Sequence, residues 1–233
     1  IVTEAKTSSK FNVKQYSGFQ APSPQNARAY SLITPTKNEY DFTLQYIPVK
    51  RITNPKYAFQ HFVGLSLNNT SSTAAGGAWT YGTSCTTSLS YFTLYKTTSN
   101  IVEQLNGCLI GKLMVKSSVD NPVEITVDGN ATLATYASLN RTAASSLLNQ
   151  TPFMWSDCQI FIDGSLATNC TAFELTVNNN TETQHTLGNR DPRLVYPKGQ
   201  AVELKLTRFF NDVTDYAAFK GGTNKSFTIQ MTD

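Results

Sequence analysis

Charge is scarce in this chain of 233 residues: Asp, Glu, Lys and Arg make up 15% of it, against roughly 25% in an average globular chain. The net charge is only +3 and aromatics reach 11%, which excludes charge-driven disorder. Histidine is scarcer still. His61 and His185 are the whole supply and neither has a partner at ligand spacing. Zinc sites, histidine acid–base chemistry and a Ser-His-Asp triad therefore have little support. No P-loop or Gly-x-Gly-x-x-Gly pattern occurs, and no apolar run approaches the ~18 residues of a membrane-spanning helix. The expectation is a protein that is no enzyme and carries no cofactor or metal. The composition is filled instead by Ser, Thr and Asn, together 70 of 233 residues. The chain begins at Ile1 without a basic stretch leading into an apolar one, as expected of a start left by trimming, by signal removal or behind a disordered leader.

Alternating apolar and polar residues announce strands with one buried and one wet face. Such runs are Tyr40–Ile47, Leu89–Leu94, Leu109–Val115, Val123–Val127, Val202–Thr207 and Phe227–Met231. Gln159–Ile162, the turn Asp163-Gly164 and a strand through Phe173–Val177 read as a hairpin. One helix is expected at about 212–219, capped by Asp212, with Val213, Tyr216 and Ala217 on one face and Gly221-Gly222 as its stop. Residues 1–38, polar and interrupted by Pro22, Pro24 and Pro35, are too long for an ordinary loop. They read as a mobile leader or an arm that orders against a neighbouring subunit. Residues 39–233 read as one β-sandwich or barrel-like domain, with long loops at 68–84 and 129–151; Tyr57–Leu67 is ambiguous between helix and strand.

From Phe173 the pattern becomes specific. Phe173–Val177 runs into Asn178-Asn179-Asn180 and Glu182; Leu187-Gly188-Asn189-Arg190-Asp191-Pro192 follows, then Pro197, the strand Val202–Leu206, Phe209-Phe210, Tyr216, Phe219 and Gly222-Thr223. Upstream, Gly107-Cys108 before an alternating strand and Pro152-Phe153 before the hairpin fall in matching order. This ordered set, over roughly residues 100–233, resembles the tail tube proteins (major tail proteins) of tailed phages and related viruses. Asn189 stands where that family commonly has Ser. The resemblance implies a β-sandwich with one flanking helix. It also implies a structural subunit that assembles with itself into stacked, hexameric rings, joins other tail proteins and lets viral DNA pass without specific binding. Its place would be the virion tail, assembled in the host cytoplasm, with no membrane partner.

Several residues carry competing readings. The polar sides of three strands, among them Glu174, Thr176 and Asn178, face bulk solvent or, in a tube, the lumen. The loop Asn189, Arg190, Asp191 reads as structural, with Arg190 bridging to a carboxylate on the next subunit. Cys158 and Cys170 lie nearly symmetrically about Gly164; a three-residue turn would set them opposite each other within disulfide reach. Cys85 and Cys108 would be the remaining pair, unless Cys108 is a small core residue. Asn-x-Ser/Thr sequons occur at Asn68, Asn69, Asn130, Asn140, Asn149, Asn169, Asn179 and Asn224, candidate glycan acceptors in an exported protein. Sequons and paired cysteines keep a secreted, self-assembling surface filament or sheath as the alternative. A carbohydrate-binding module built on Trp79, Trp155 and the tyrosines ranks last.

Overall fold

The computed structural model describes residues 2–17, 31–48, 89–98, 101–137, 151–209, 213–222 and 224–232. Antiparallel strands dominate, as the alternation predicts. The largest sheet runs β1 (Val2–Ser17), β2 (Ser31–Tyr46), β5 (Glu124–Ala131), β4 (Ile101–Ser118), β9 (Cys170–Asn178), β12 (Ala201–Arg208), with β3 (Phe92–Thr98) and β6 (Leu133–Ala137) on the first half of β4. A three-stranded sheet joins β13 (Phe227–Met231), β7 (Cys158–Ile162) and β8 (Ser165–Leu166), and β10 (Thr181–Gln184) pairs with β11 (Leu194–Pro197). The one helix, α1, spans Val213–Lys220.

Strand β4 explains how one sheet wraps a core. Its first half pairs with β3 and β6, its second half with β5 and β9. Between them Gly107 takes φ +60°, open to glycine without strain, and a bulge between Ile110 and Lys112 shifts the register against β5. Val102, Leu105, Cys108, Ile110, Leu113 and Val115 thus all reach one core, together with Phe42, Val123, Ile125, Val127, Phe153, Phe173 and Val177. Phe42 lies edge-on to Phe92, ring centroids 5.7 Å apart, and covers Gly129. A Cβ at Gly129 would stand 2.3 Å from the Leu109 carbonyl and 2.4 Å from the Phe42 ring.

Several expectations are corrected. Residues 1–38 hold β1 and the first part of β2: β1 pairs with β2 from Val2↔Tyr46 to Ser17↔Ser31, and Pro35 sits at a register shift, where a missing N–H is tolerated. The loop expected over 129–151 begins as strand, through the end of β5 and all of β6. The turn after Ile162 is a two-residue one, since Ile162 faces Ser165 and Phe161 faces Leu166. The chain then leaves this sheet, and β9 joins the large one. Helix α1 leaves Val213, Tyr216 and Ala217 exposed. Asp212, Tyr57–Leu67 and the 68–84 loop lie outside the described residues.

Candidate functional site

The strands that bury Phe42, Leu44, Leu113, Val115, Ile125, Val127, Phe173 and Val177 on one side must carry their alternate residues on the other. Register aligns those residues into rows. Glu124, Lys116, Glu174 and Lys205 stand side by side on β5, β4, β9 and β12, with ion pairs Lys116–Glu124 (2.8 Å) and Lys205–Glu174 (3.2 Å). The next row holds Gln45, Thr126, Met114, Thr176 and Glu203; the next, Thr43, Asp128, Lys112, Asn178 and Ala201. Hydrogen bonds stitch the rows across strands. Thr43 Oγ1 donates to Asp128 (2.8 Å), Asn130 Nδ2 to Asp41 (2.8 Å) and Thr181 Oγ1 to Asn130 Oδ1 (2.8 Å).

Glu174, Thr176 and Asn178 therefore do share one polar face, which five strands continue. On β2, β5, β4, β9 and β12 it carries Asp41, Glu124, Asp128, Glu174 and Glu203 against Lys112, Lys116 and Lys205, a small excess of negative charge. The Lys205 ammonium is held charged above its usual range by the hydrogen bond to Glu174 and by the nearby carboxylates. Beyond the face lies a small second core cluster of Leu89, Leu109 and Val195 of β11, beside which the Tyr91 hydroxyl donates to the Val195 carbonyl (2.5 Å).

The three asparagines after Val177 each do a different job. Asn178 Oδ1 accepts from the Asn180 amide (3.0 Å), and Asn180, at φ +45°, donates from Nδ2 to the Gly199 carbonyl (2.9 Å). Asn tolerates that left-handed turn better than most residues. Asn179 is 1% exposed and fills the β4 bulge: its backbone N–H donates to Gly111 O (2.7 Å) and its Nδ2 to Ile110 O (3.0 Å). Its Oδ1 accepts from Gln200 Nε2 (3.0 Å). A glycan on Asn179 is incompatible with this packing. Asn169 Oδ1 is clasped by the Arg208 guanidinium (2.9 and 3.0 Å) and Asn130 is bonded as above, whereas Asn224 is exposed. Asn68, Asn69, Asn140 and Asn149 lie outside the described residues.

The 187–192 loop departs from its expected role in one residue. Gly188 turns it at φ +84°, and Asn189 Oδ1 accepts from the Asp191 amide (3.1 Å). The Asp191 carboxylate faces inward to its own chain, taking hydrogen bonds from Tyr40 Oη (2.6 Å) and Asn38 Nδ2 (2.7 Å). Those two bonds hold its carboxyl below the usual carboxylate range, while burial and the same carboxylate push the Tyr40 phenol up to about 12. Arg190 and Leu187 are exposed.

The hairpin expected to set Cys158 opposite Cys170 is not formed, because the two lie in different sheets. Cys158 stands opposite Met231 on β13 and Cys170 opposite Arg208 on β12, so they are not cross-strand neighbours, although both wall one groove of about 280 Å³. Neither is disulfide-bonded. The Cys158 thiol donates to the Met154 carbonyl (3.7 Å), and burial pushes it up to about 11. Cys108 is fully buried and its thiol donates to Leu105 O (3.3 Å); the expected Cys85–Cys108 pairing involves Cys85, which lies outside the described residues.

The sequence profile of a family described as phage tail tube protein matches residues 40–233, and the chain belongs to that family. No curated protein matched the sequence. Membership makes the chain a structural tail tube subunit of the virion tail, which assembles with itself and with other tail components. Such proteins are typically non-enzymatic. Among the described residues no helix is long and apolar enough to cross a membrane.

Proposed function

We propose that copies of this subunit close into rings of six, that the rings stack, and that the polar face of β2, β5, β4, β9 and β12 lines a channel for DNA. Glu174, Thr176 and Asn178 then point at the axis. The observation that carries the reading is the continuity of that face, hydrogen-bonded from Asp41 on β2 through Asn130 to Thr181 and reaching β12 at the sheet margin. A wall on which Lys116 and Lys205 pair with carboxylates and negative charge exceeds positive offers phosphates little counterion release and so does not hold DNA.

Unfilled surfaces supply the neighbours. Strand β12 has no partner on its outer side among the described residues, and its Glu203 and Lys205 discourage indiscriminate pairing while admitting a complementary edge. Leu187 (105% exposed), Phe209 (68%), Val213 (69%) and Tyr216 (61%) are large apolar groups left in water. Isolated cases need no explanation, but in a self-assembling subunit they are natural contacts, with Arg190 available to a neighbour's carboxylate. The β1–β2 hairpin serves as the arm between rings. Deleting residues 2–30 tests that role: the expected product is rings or short stacks, and long tubes from the truncated chain refute it.

A further inference from the structure

Strand β2 belongs to two structures. From Tyr40 to Tyr46 it pairs with β5 on one side and β1 on the other; from Ser31 to Asn38 it has β1 alone among the described strands. Tyr40, opposite Ala131, is the last residue in the body of the sheet. At that point the 184–193 loop grips the strand. Asp191 takes the Tyr40 and Asn38 hydrogen bonds, and the Asn38 amide donates to Arg190 O (2.9 Å). Pro192, buried, restricts the backbone of Asp191 before it. His185, both ring nitrogens buried and without a hydrogen-bond partner among the described residues, lies within electrostatic reach of the same carboxylate.

We propose that Asp191 is a positioning residue that latches the base of the β1–β2 hairpin and sets the direction in which it leaves the sheet. The lever is long. Eight residues from Asn38 to Ser31 extend about 25 Å at ~3.3 Å per residue, so a 10° swing at the base moves the far end by about 4 Å. That is close to the ~4.8 Å spacing of neighbouring strands, enough to lose register with a docking site. A two-stranded ribbon is also weak by itself; the latch supplies a third point of support. The consequence for assembly rests on the reading of the hairpin as the inter-ring arm; the latch itself does not.

Hydrogen–deuterium exchange of the soluble subunit, followed by negative-stain imaging of tubes, tests both. Asp191→Ala is expected to speed exchange across residues 31–39 by roughly tenfold, with β4 unchanged, and to shorten or abolish tubes. Asp191→Asn, which keeps an acceptor oxygen, restores much of both. Tyr40→Phe and Asn38→Ala each remove one bond, leave the ring or backbone in place, and are expected to give intermediate exchange even if Asp191→Ala does not fold. Unchanged exchange in these variants overturns the latch. Faster exchange with tubes of normal length overturns its role in positioning. Normal tubes from the 2–30 deletion overturn the arm itself, a separate result.

Discussion

Replacing Asn179 by Ala removes a buried amide without touching the strand pairing. The backbone bond to Gly111 O survives, while the bond to Ile110 O and that from Gln200 are lost. Two neutral hydrogen bonds at ~0.5–1.5 kcal/mol each, plus a small cavity, give a loss of about 2–3 kcal/mol. At about 2–4 °C per kcal/mol for a domain of this size, the unfolding midpoint of the unassembled subunit falls by about 5–10 °C. Asn179→Asp costs more, because a buried carboxylate would face the Ile110 carbonyl with no donor to offer. Differential scanning calorimetry reads both. An Asn179→Ala midpoint within 1 °C of the parent, or an Asp variant as stable as the parent, refutes the assignment of Asn179 as the plug of the β4 bulge.

Gly129→Ala forces a methyl to within 2.3 Å of the Leu109 carbonyl and 2.4 Å of Phe42; a loss of about 3 kcal/mol is expected in urea unfolding, and a loss under 1 kcal/mol contradicts the packing. The Asp191 carboxyl is depressed by Tyr40 and Asn38, so its stabilisation is present above the ordinary carboxylate range and is lost as pH falls through its lowered value. The parent is expected to exceed Asp191→Asn in stability at pH 7, with the gap closing as pH falls from the ordinary carboxylate range through that lowered value; a gap independent of pH contradicts this. Cys108 and Cys158, with thiols pushed up to about 11, are expected to alkylate slowly at neutral pH in the folded chain and rapidly after denaturation, read by peptide mass spectrometry. Rapid labelling of the native protein at either contradicts their burial.

Strands that pack one face on the core were legible because period two survives in their side chains. Phe227–Met231 and Val202–Thr207 show it plainly, and the structure places them within a residue of those bounds. β1 and the outer half of β2 were illegible for the same reason: paired mainly with each other, they need no hydrophobic alternation. β10 and β11, four residues each, are too short to show a period. The polar face was readable strand by strand, but its rows depend on register, and register depends on the Gly111 bulge. Asp191 was missed as an internal acceptor because its partners, Asn38 and Tyr40, lie about 150 residues away. The Cys158–Cys170 symmetry misled because it assumed one hairpin where the chain changes sheets after Leu166.

On the proposed reading, Glu174, Thr176 and Asn178 face the inside of a tube whose wall these sheets build. A cryo-electron microscopy map of assembled tubes, at a resolution that traces side chains, measures this directly. The account predicts six-fold rings with the Glu124–Lys116–Glu174–Lys205 row exposed to the channel and β12 against a neighbouring copy. A map with that row on the outer surface, or with β12 bare in the assembled wall, contradicts it.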